Sequence, residues 1–197
     1  MTKDWTGNKT SVFSTLGASN HSEGERPEMD YYATDPRAID YLMEVESFAP
    51  TIWECACGEG HLSKKLMEYG YEVYSSDLIY RGFGVGGVDF LKYEGDWNGD
   101  IITNPPYKYG LEFAEKSLKI LRGGGKLAMF LKLTFLEGKK RRAFFDEFPP
   151  ARIHVFSNRM GCAKNGEFEK YSTRAVCYAW FVWEKGWKGG TVVDWIG

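Results

Sequence analysis

Asn104-Pro105-Pro106-Tyr107 directly follows the apolar run Ile101-Ile102-Thr103. Two consecutive prolines cannot continue a strand or a helix, because each lacks a backbone N–H and fixes φ. An incoming strand must end there, with Asn104 as its last side chain and Tyr107 on a stiff turn. An amide oxygen that accepts, beside a flat ring that stacks, suits an exocyclic amine on a planar group. A second candidate group is Glu54-Cys55-Ala56-Cys57-Gly58-Glu59-Gly60. Gly58 and Gly60 let backbone approach a ligand closely, and Glu54 could meet an amine. The turn lacks the spacing of a dinucleotide-binding GxGxxG. Asp77 lies about 20 residues further on, where ribose hydroxyls are held in nucleotide-binding sheets; it could equally cap a turn. Asp89 and Phe90 could accept from, and pack on, an adenine, although Phe90 fits ordinary core as well.

The surrounding pattern supplies elements to position these groups. Pro36 sits in the first turn of a helix expected to run to about Ser47, with Ile39, Leu42, Met43 and Val45 apolar. Short strands are expected at Thr51–Trp53, Tyr71–Ser76, Val85–Val88, Asp100–Thr103, Lys126–Leu131, Arg152–Phe156 and Ala175–Trp183. Helices are expected after Gly60, over Leu111–Leu121 and over Lys139–Phe148. This alternation predicts an α/β fold with a mostly parallel sheet and helices on both faces. No helix is predicted between the last two strands, so they should pair antiparallel. Residues 1–28 are polar and lack periodicity, and read as an N-terminal arm before a domain spanning 29–197.

The chain has 197 residues, 43% apolar and 16% aromatic, enough for one domain with a buried core. No window reaches membrane-spanning length, and the start MTKDWTGNKT has no apolar signal core. A cytoplasmic protein with no membrane partner is expected. Cys55, Cys57, Cys162 and Cys177 fit neither a paired zinc site nor a disulfide framework. His21, His61 and His154 are scattered, so no metal is expected. The net charge of −2 gives the molecule no overall pull on nucleic acid. Locally, Lys139, Lys140, Arg141 and Arg142 form a basic run, and Arg159 and Lys164 lie on a glycine-rich polar connection. These six are the candidate nucleic-acid contacts; a solvated helix face is the ordinary alternative for the run.

Taken together, the segments resemble the S-adenosylmethionine-dependent methyltransferases that modify amino groups in DNA. Their pattern of DPACGxG, an acid after the second strand, and [DNS]PP[YFW] maps onto Glu54–Gly60, Asp77 and Asn104–Tyr107. In this chain Asp-Pro of that pattern has become Glu54-Cys55. Asp30-Tyr31-Tyr32-Ala33-Thr34-Asp35-Pro36 resembles the element that precedes the glycine turn and contacts the cofactor's methionine end. The order of elements is that of the gamma arrangement of adenine-specific enzymes. Phe13–His21 and Leu131–Gly138 resemble the short enzymes carried by phages and prophages.

The resemblance implies a Rossmann-like class I methyltransferase fold: a mostly parallel seven-stranded sheet with a C-terminal antiparallel hairpin. It implies S-adenosylmethionine as cofactor, held by Tyr32, Thr34, Pro36, Glu54, Ala56, Cys57, Gly58, Gly60, Asp77, Asp89, Phe90 and Asn104. It assigns Asn104, Pro105, Pro106 and Tyr107 to catalysis. Asn104 and the Pro105 carbonyl would accept the two N–H groups of adenine N6, leaving its lone pair for in-line attack, and Tyr107 would stack on a base flipped from the helix. Ring-carbon methylation needs a thiol nucleophile, and no Pro-Cys stands at the tetrapeptide. DNA is the expected partner; an RNA base, a protein glutamine, or nucleic-acid binding without catalysis are the alternatives. Only the arm and the 157–173 connection remain for target recognition. Specificity is therefore expected to be short or relaxed, or supplied by a homodimer.

Overall fold

The computed structural model describes residues 32–158, 160, 162–164 and 176–197. The arm at 1–28, Arg159, and the side chains of Tyr32 and Lys164 lie outside the described residues. Nine strands are described: β1 (Tyr32–Thr34), β2 (Thr51–Glu54), β3 (Glu72–Ser75), β4 (Asp100–Thr103), β5 (Lys126–Lys132), β6 (Arg152–Phe156), β7 (Cys162–Lys164), β8 (Tyr178–Glu184) and β9 (Val192–Ile196). The four described α-helices are α1 (Arg37–Val45), α2 (His61–Glu68), α3 (Gly110–Ile120) and α4 (Lys139–Glu147). No described helix is long and apolar enough to cross a membrane.

Seven strands form one mixed sheet in the order β3-β2-β4-β5-β8-β6-β9. β2, β3, β4 and β5 pair parallel. β8 runs antiparallel between β5 and β6, which gives the antiparallel C-terminal pair that the sequence predicts. β1 and β7 form a separate antiparallel pair, with Thr34 opposite Cys162.

The central strands of the sheet are buried on both faces and are almost wholly apolar, whereas the edge strands β3 and β9 are partly exposed. The period of two decides which face each residue serves. Leu127, Met129, Leu131, Phe181 and Trp183 join Trp53, Phe113 and Phe144 on the α3–α4 face. Ala128, Phe130, Trp180 and Val182 join Ile39, Leu42, Leu62 and Leu66 on the α1–α2 face. Trp180 donates its indole N–H to the Ala38 carbonyl at 2.8 Å, fastening α1 to the sheet.

Two strands depart from the sequence reading. The strand expected at Val85–Val88 does not form; a single bridge joins Val85 to Ser76. Gly82, Gly84 and Gly87 all adopt positive φ, which an extended strand cannot accommodate. Its place in the count is taken by β9, which pairs parallel with β6 at the opposite edge.

The edge where the parallel strands begin carries a buried ionic network. Glu46, just beyond α1, accepts from Arg152 Nε and, at 3.0 Å, from Lys126 Nζ. His154 is 1% exposed, with Nε2 3.0 Å from Glu46 and Nδ1 2.5 Å from Asp194. Arg152 also pairs with Glu184. Burial would raise the Glu46 carboxyl, but hydrogen bonds from His154, Arg152 and Lys126 reverse this and hold it at about 2. Burial would lower the His154 imidazole; its bonds to Glu46 and Asp194 outweigh that and raise it.

The Glu46 contribution is present above its ordinary 4.5 and is lost as pH falls towards 2. The His154 contribution is complete below its ordinary 6.5 and is lost as pH rises through its raised folded value. Glu46→Ala is therefore expected to lower the unfolding free energy by about 3–5 kcal/mol near pH 5.5, because it strands a buried imidazolium and two half-buried cations. The difference from wild type should shrink on both sides of that pH. Urea unfolding across the pH range measures it, and a flat difference would contradict the account.

Candidate functional site

Parallel pairing of β2, β3 and β4 brings their carboxyl ends to one edge. This is where ligands sit in open α/β sheets. β2 ends at Glu54, β3 leads into Asp77, and β4 leads into Asn104. The expected cofactor and catalytic groups thus converge from three strands separated by dozens of residues.

The glycine turn is held from two sides. Cys57 N–H donates to the Ser76 carbonyl at 3.0 Å, and Gly58 N–H donates to Asp77 Oδ2 at 2.9 Å. Asp77 Oδ1 accepts from Ile79 N–H at 2.9 Å, so this acid clasps both the turn and its own loop. A carboxylate oxygen accepts more than one bond, so these contacts leave acceptor capacity for hydroxyls. Gly58 and Gly60 adopt φ of +55° and +78°. A Cβ on Gly60 would lie 2.2 Å from the Phe83 ring. That close approach is made by a protein side chain that the sequence reading did not single out. Phe83 is seated on the turn by the glycine-rich loop that replaces the expected strand, and Lys64 Nζ stands 4.9 Å from its ring centre.

Glu54 is 2% exposed. It accepts from Ser63 Oγ, which in turn accepts from Ser75 Oγ at 2.7 Å. Burial pushes its carboxyl up to about 8; the Ser63 bonds oppose this and the charge of Asp77 adds to it. No Lys, Arg or His among the described residues pairs with it. A buried acid at a ligand edge, solvated only by hydroxyls, fits the ammonium of an amino-acid moiety. Burial also pushes the Cys57 thiol up to about 12 and raises that of Cys55. Neither is poised as a thiolate nucleophile.

Asn104 Nδ2 donates to Thr34 Oγ1 at 2.6 Å. This bond joins β1 to the end of β4 and sets the amide so that Oδ1 faces away from Thr34. Pro36 caps α1, and Asp35 Oδ1 accepts from Arg37 N–H at 3.0 Å. Pro105 is buried and Pro106 exposed; the Pro106 carbonyl accepts from Tyr109 N–H at 2.8 Å, and α3 follows. Tyr107 is half-buried, 6.0 Å from the Tyr178 ring, with Lys132 Nζ 4.7 Å from its own ring centre.

Other expected residues are placed differently. Phe90 is 2% exposed and stacks on Phe113 at 5.0 Å, edge-on to Trp53, as a core side chain does. Asp89 accepts from Leu91 N–H and pairs with Lys92 at 3.0 Å, capping a short 3-10 turn. Ala56 is half-buried against the α3–α4 core. Lys139 and Lys140 are exposed at the start of α4. Arg141 bonds the Glu137 carbonyl and lies over Phe135, while Arg142 pairs with Asp146 at 2.8 Å. Of the four, the two arginines are engaged within the protein. A shallow apolar groove along β3, lined by Val73, Tyr74, Tyr93 and Trp97, begins at Thr51, at the other end of β2 from Glu54.

No protein-family model matches the chain, and no curated protein matches it in sequence. Solved structures match its fold. A candidate class I S-adenosylmethionine-dependent methyltransferase of Listeria monocytogenes superposes with a TM-score of 0.51 at 11% identity, over 81% of this chain and 62% of that one. The modification subunit of a candidate type I restriction enzyme of Vibrio vulnificus gives 0.58 at 14% identity, over 94% and 50%. A candidate RNA methyltransferase of Pyrococcus horikoshii gives 0.54 at 13% identity, over 91% and 99%. The chain thus spans about half to two thirds of the first two proteins. The architecture is the Rossmann-like class I methyltransferase fold.

Seating Phe83 against Gly60 makes the two positions interdependent. Gly60→Ala should cost at least 1–2 kcal/mol, roughly the strain of a side chain at left-handed φ, plus the ring displacement. In a Phe83→Ala background the same change should cost measurably less. Urea unfolding of the four-member cycle gives the coupling, and strict additivity would show that the ring is not seated there.

Proposed function

We propose that this chain transfers a methyl group from S-adenosylmethionine to the exocyclic amine of a nucleic-acid base, in the first instance N6 of adenine in DNA. The observation that carries the reading is the convergence at one sheet edge of a proline-bounded, Thr34-oriented Asn104, the Tyr107 ring and a buried Glu54 with no cation. The class I fold supports it, and the modification subunit from Vibrio vulnificus has that architecture.

Glu54 would hold the cofactor's ammonium, Gly58 would let the turn approach it while Gly60 makes room for Phe83 behind it, and Asp77 would accept its ribose hydroxyls. Thr34 and Pro36 would border the methionine end. When bound, the cofactor supplies an electrophilic methyl on a sulfonium.

The remaining work falls to this chain's own residues. The N6 lone pair is delocalised into the purine ring and is a poor nucleophile. Asn104 Oδ1 and the Pro105 carbonyl each accept one N–H, which favours tetrahedral nitrogen. Positioning of this kind contributes several kcal/mol, on the order of what well-oriented intramolecular reactions show. Pro106 stiffens the turn that carries Tyr107, and the ring stacks on the base after it leaves the duplex. Lys139 and Lys140, with the surface-paired and equally exposed Arg142, are the cations of the basic run that would meet backbone phosphates.

Incubating the chain with labelled methyl donor and separate DNA, RNA and protein fractions tests the reading. Label should enter DNA as N6-methyladenine. Label in RNA or protein would move the substrate to an RNA base or a glutamine, and binding of nucleic acid without any label would indicate a silent module. Asn104→Ala should keep its melting temperature within a few degrees and lose at least 100-fold in turnover, on the scale of removing one preorganised polar group. Near-wild-type turnover in that variant would refute the catalytic assignment.

A further inference from the structure

The inference deepens the reading of Glu54 as the partner of the cofactor's ammonium, and rests on it. Glu54, Ser63 and Ser75 are all buried, at 2%, 0% and 6% exposure. The hydroxyls form a directed chain, Ser75 Oγ to Ser63 Oγ to Glu54 Oε2. Every charged group on the elements packed around this carboxyl is either negative or turned to another partner. Asp77, at the end of β3, is negative. On α2, Lys65 pairs with Asp40 and Glu68, and Lys64 donates to the Glu59 carbonyl beside Phe83. His61, at the start of α2, stands 3.9 Å from Glu59, and its imidazole is lowered by burial. Cys55 and Cys57 on the turn stay as thiols.

We propose that Glu54 is a neutral carboxylic acid in the ligand-free protein and loses its proton to solvent when the ammonium of the cofactor's methionine portion docks beside it. Cofactor binding therefore releases a proton. The carboxyl O–H bond breaks, the proton goes to buffer, and a carboxylate–ammonium contact forms; nothing is oxidised or reduced. The physical reason is that a charged carboxylate beside Asp77 is unfavourable in this dry site until a cation arrives. Ser63 is a positioning residue: its O–H points at the oxygen that becomes charged and favours that charge. With the carboxyl pushed up to about 8, roughly nine molecules in ten carry the proton at pH 7. The ligand's own amine, with an ordinary value of about 7.7–8.0, is then largely charged already.

Calorimetric titration of the full chain with S-adenosylhomocysteine at pH 7, in buffers of different ionisation enthalpy, counts the protons. Wild type should release roughly 0.5–1 proton per ligand bound at pH 7, falling to about half a proton near pH 8 and to almost none by about pH 9. 5′-Methylthioadenosine, which keeps the adenosine and lacks the amine, should release none. Glu54→Gln should abolish the release, and Ser63→Ala should weaken S-adenosylhomocysteine at pH 7 by several-fold while extending proton release to higher pH. If Glu54→Gln fails to fold, infrared difference spectra of wild type still decide. The carbonyl stretch of a protonated carboxyl should vanish on adding S-adenosylhomocysteine and persist on adding 5′-methylthioadenosine. Binding of S-adenosylhomocysteine with no proton released would overturn this inference and leave the proposed function standing. No binding at any pH would overturn both.

Discussion

A carboxyl buried without a cation sets the character of one edge of this sheet. Glu46 and Glu54 are the same residue type, at 8% and 2% exposure. One is held at about 2 and the other pushed to about 8. Burial acts in the same direction on both, so the difference lies in their partners. Glu46 receives Arg152, Lys126 and His154, whereas Glu54 receives a serine hydroxyl. Desolvating a carboxylate is costly unless charge or hydrogen bonds replace water. At Glu46 the protein supplies the replacement itself. At Glu54 it leaves the position to a proton or to a ligand's cation.

The division follows the direction of the strands. Lys126 and Arg152 begin β5 and β6, and Glu184 ends the antiparallel β8, so the ionic network occupies the edge where the parallel strands start. Glu54, Asp77 and Asn104 occupy the edge where they finish. The proline pair enforces this at β4: no strand can run past Asn104, whose amide closes the strand with its Oδ1 buried. Thr34 then fixes which side of the amide faces β1. A site built this way rests on strand ends and one stiff corner, which is more exact than a site built on free loops.

Much of this was legible from residue types, because the signals were local. Proline pairs, glycine turns and strand-ending acids act within a few residues, and the strand at Asp100–Thr103 falls where the sequence places it. The periodicity of Gly110–Ile120 and Lys126–Lys132 likewise survives tertiary packing. The Val85–Val88 strand failed because its two valines flank Gly86-Gly87, and backbone freedom won over β-propensity. β9 was missed although Val192-Val193-Asp194-Trp195-Ile196 is rich in β-branched and aromatic residues; its parallel partner β6 lies some forty residues away, beyond any local pattern. Phe83 and Ser63 were not legible as site residues. Nothing in their neighbourhoods says that a loop folds back on Gly60 or that a helix hydroxyl meets Glu54. Phe90 shows the converse: its position after a strand suggested a ligand contact, and its contacts with Trp53 and Phe113 make it core.

Tyr107 offers a half-buried aromatic ring at this edge. Its ring is covered on one side by Lys132 Nζ at 4.7 Å and backed by Tyr178. A cation–π contact at a partly exposed site contributes about 0.5–1 kcal/mol. Base–aromatic stacking contributes about 1–3 kcal/mol per base. In the reaction proposed above, an extruded base outcompetes the ammonium for the ring.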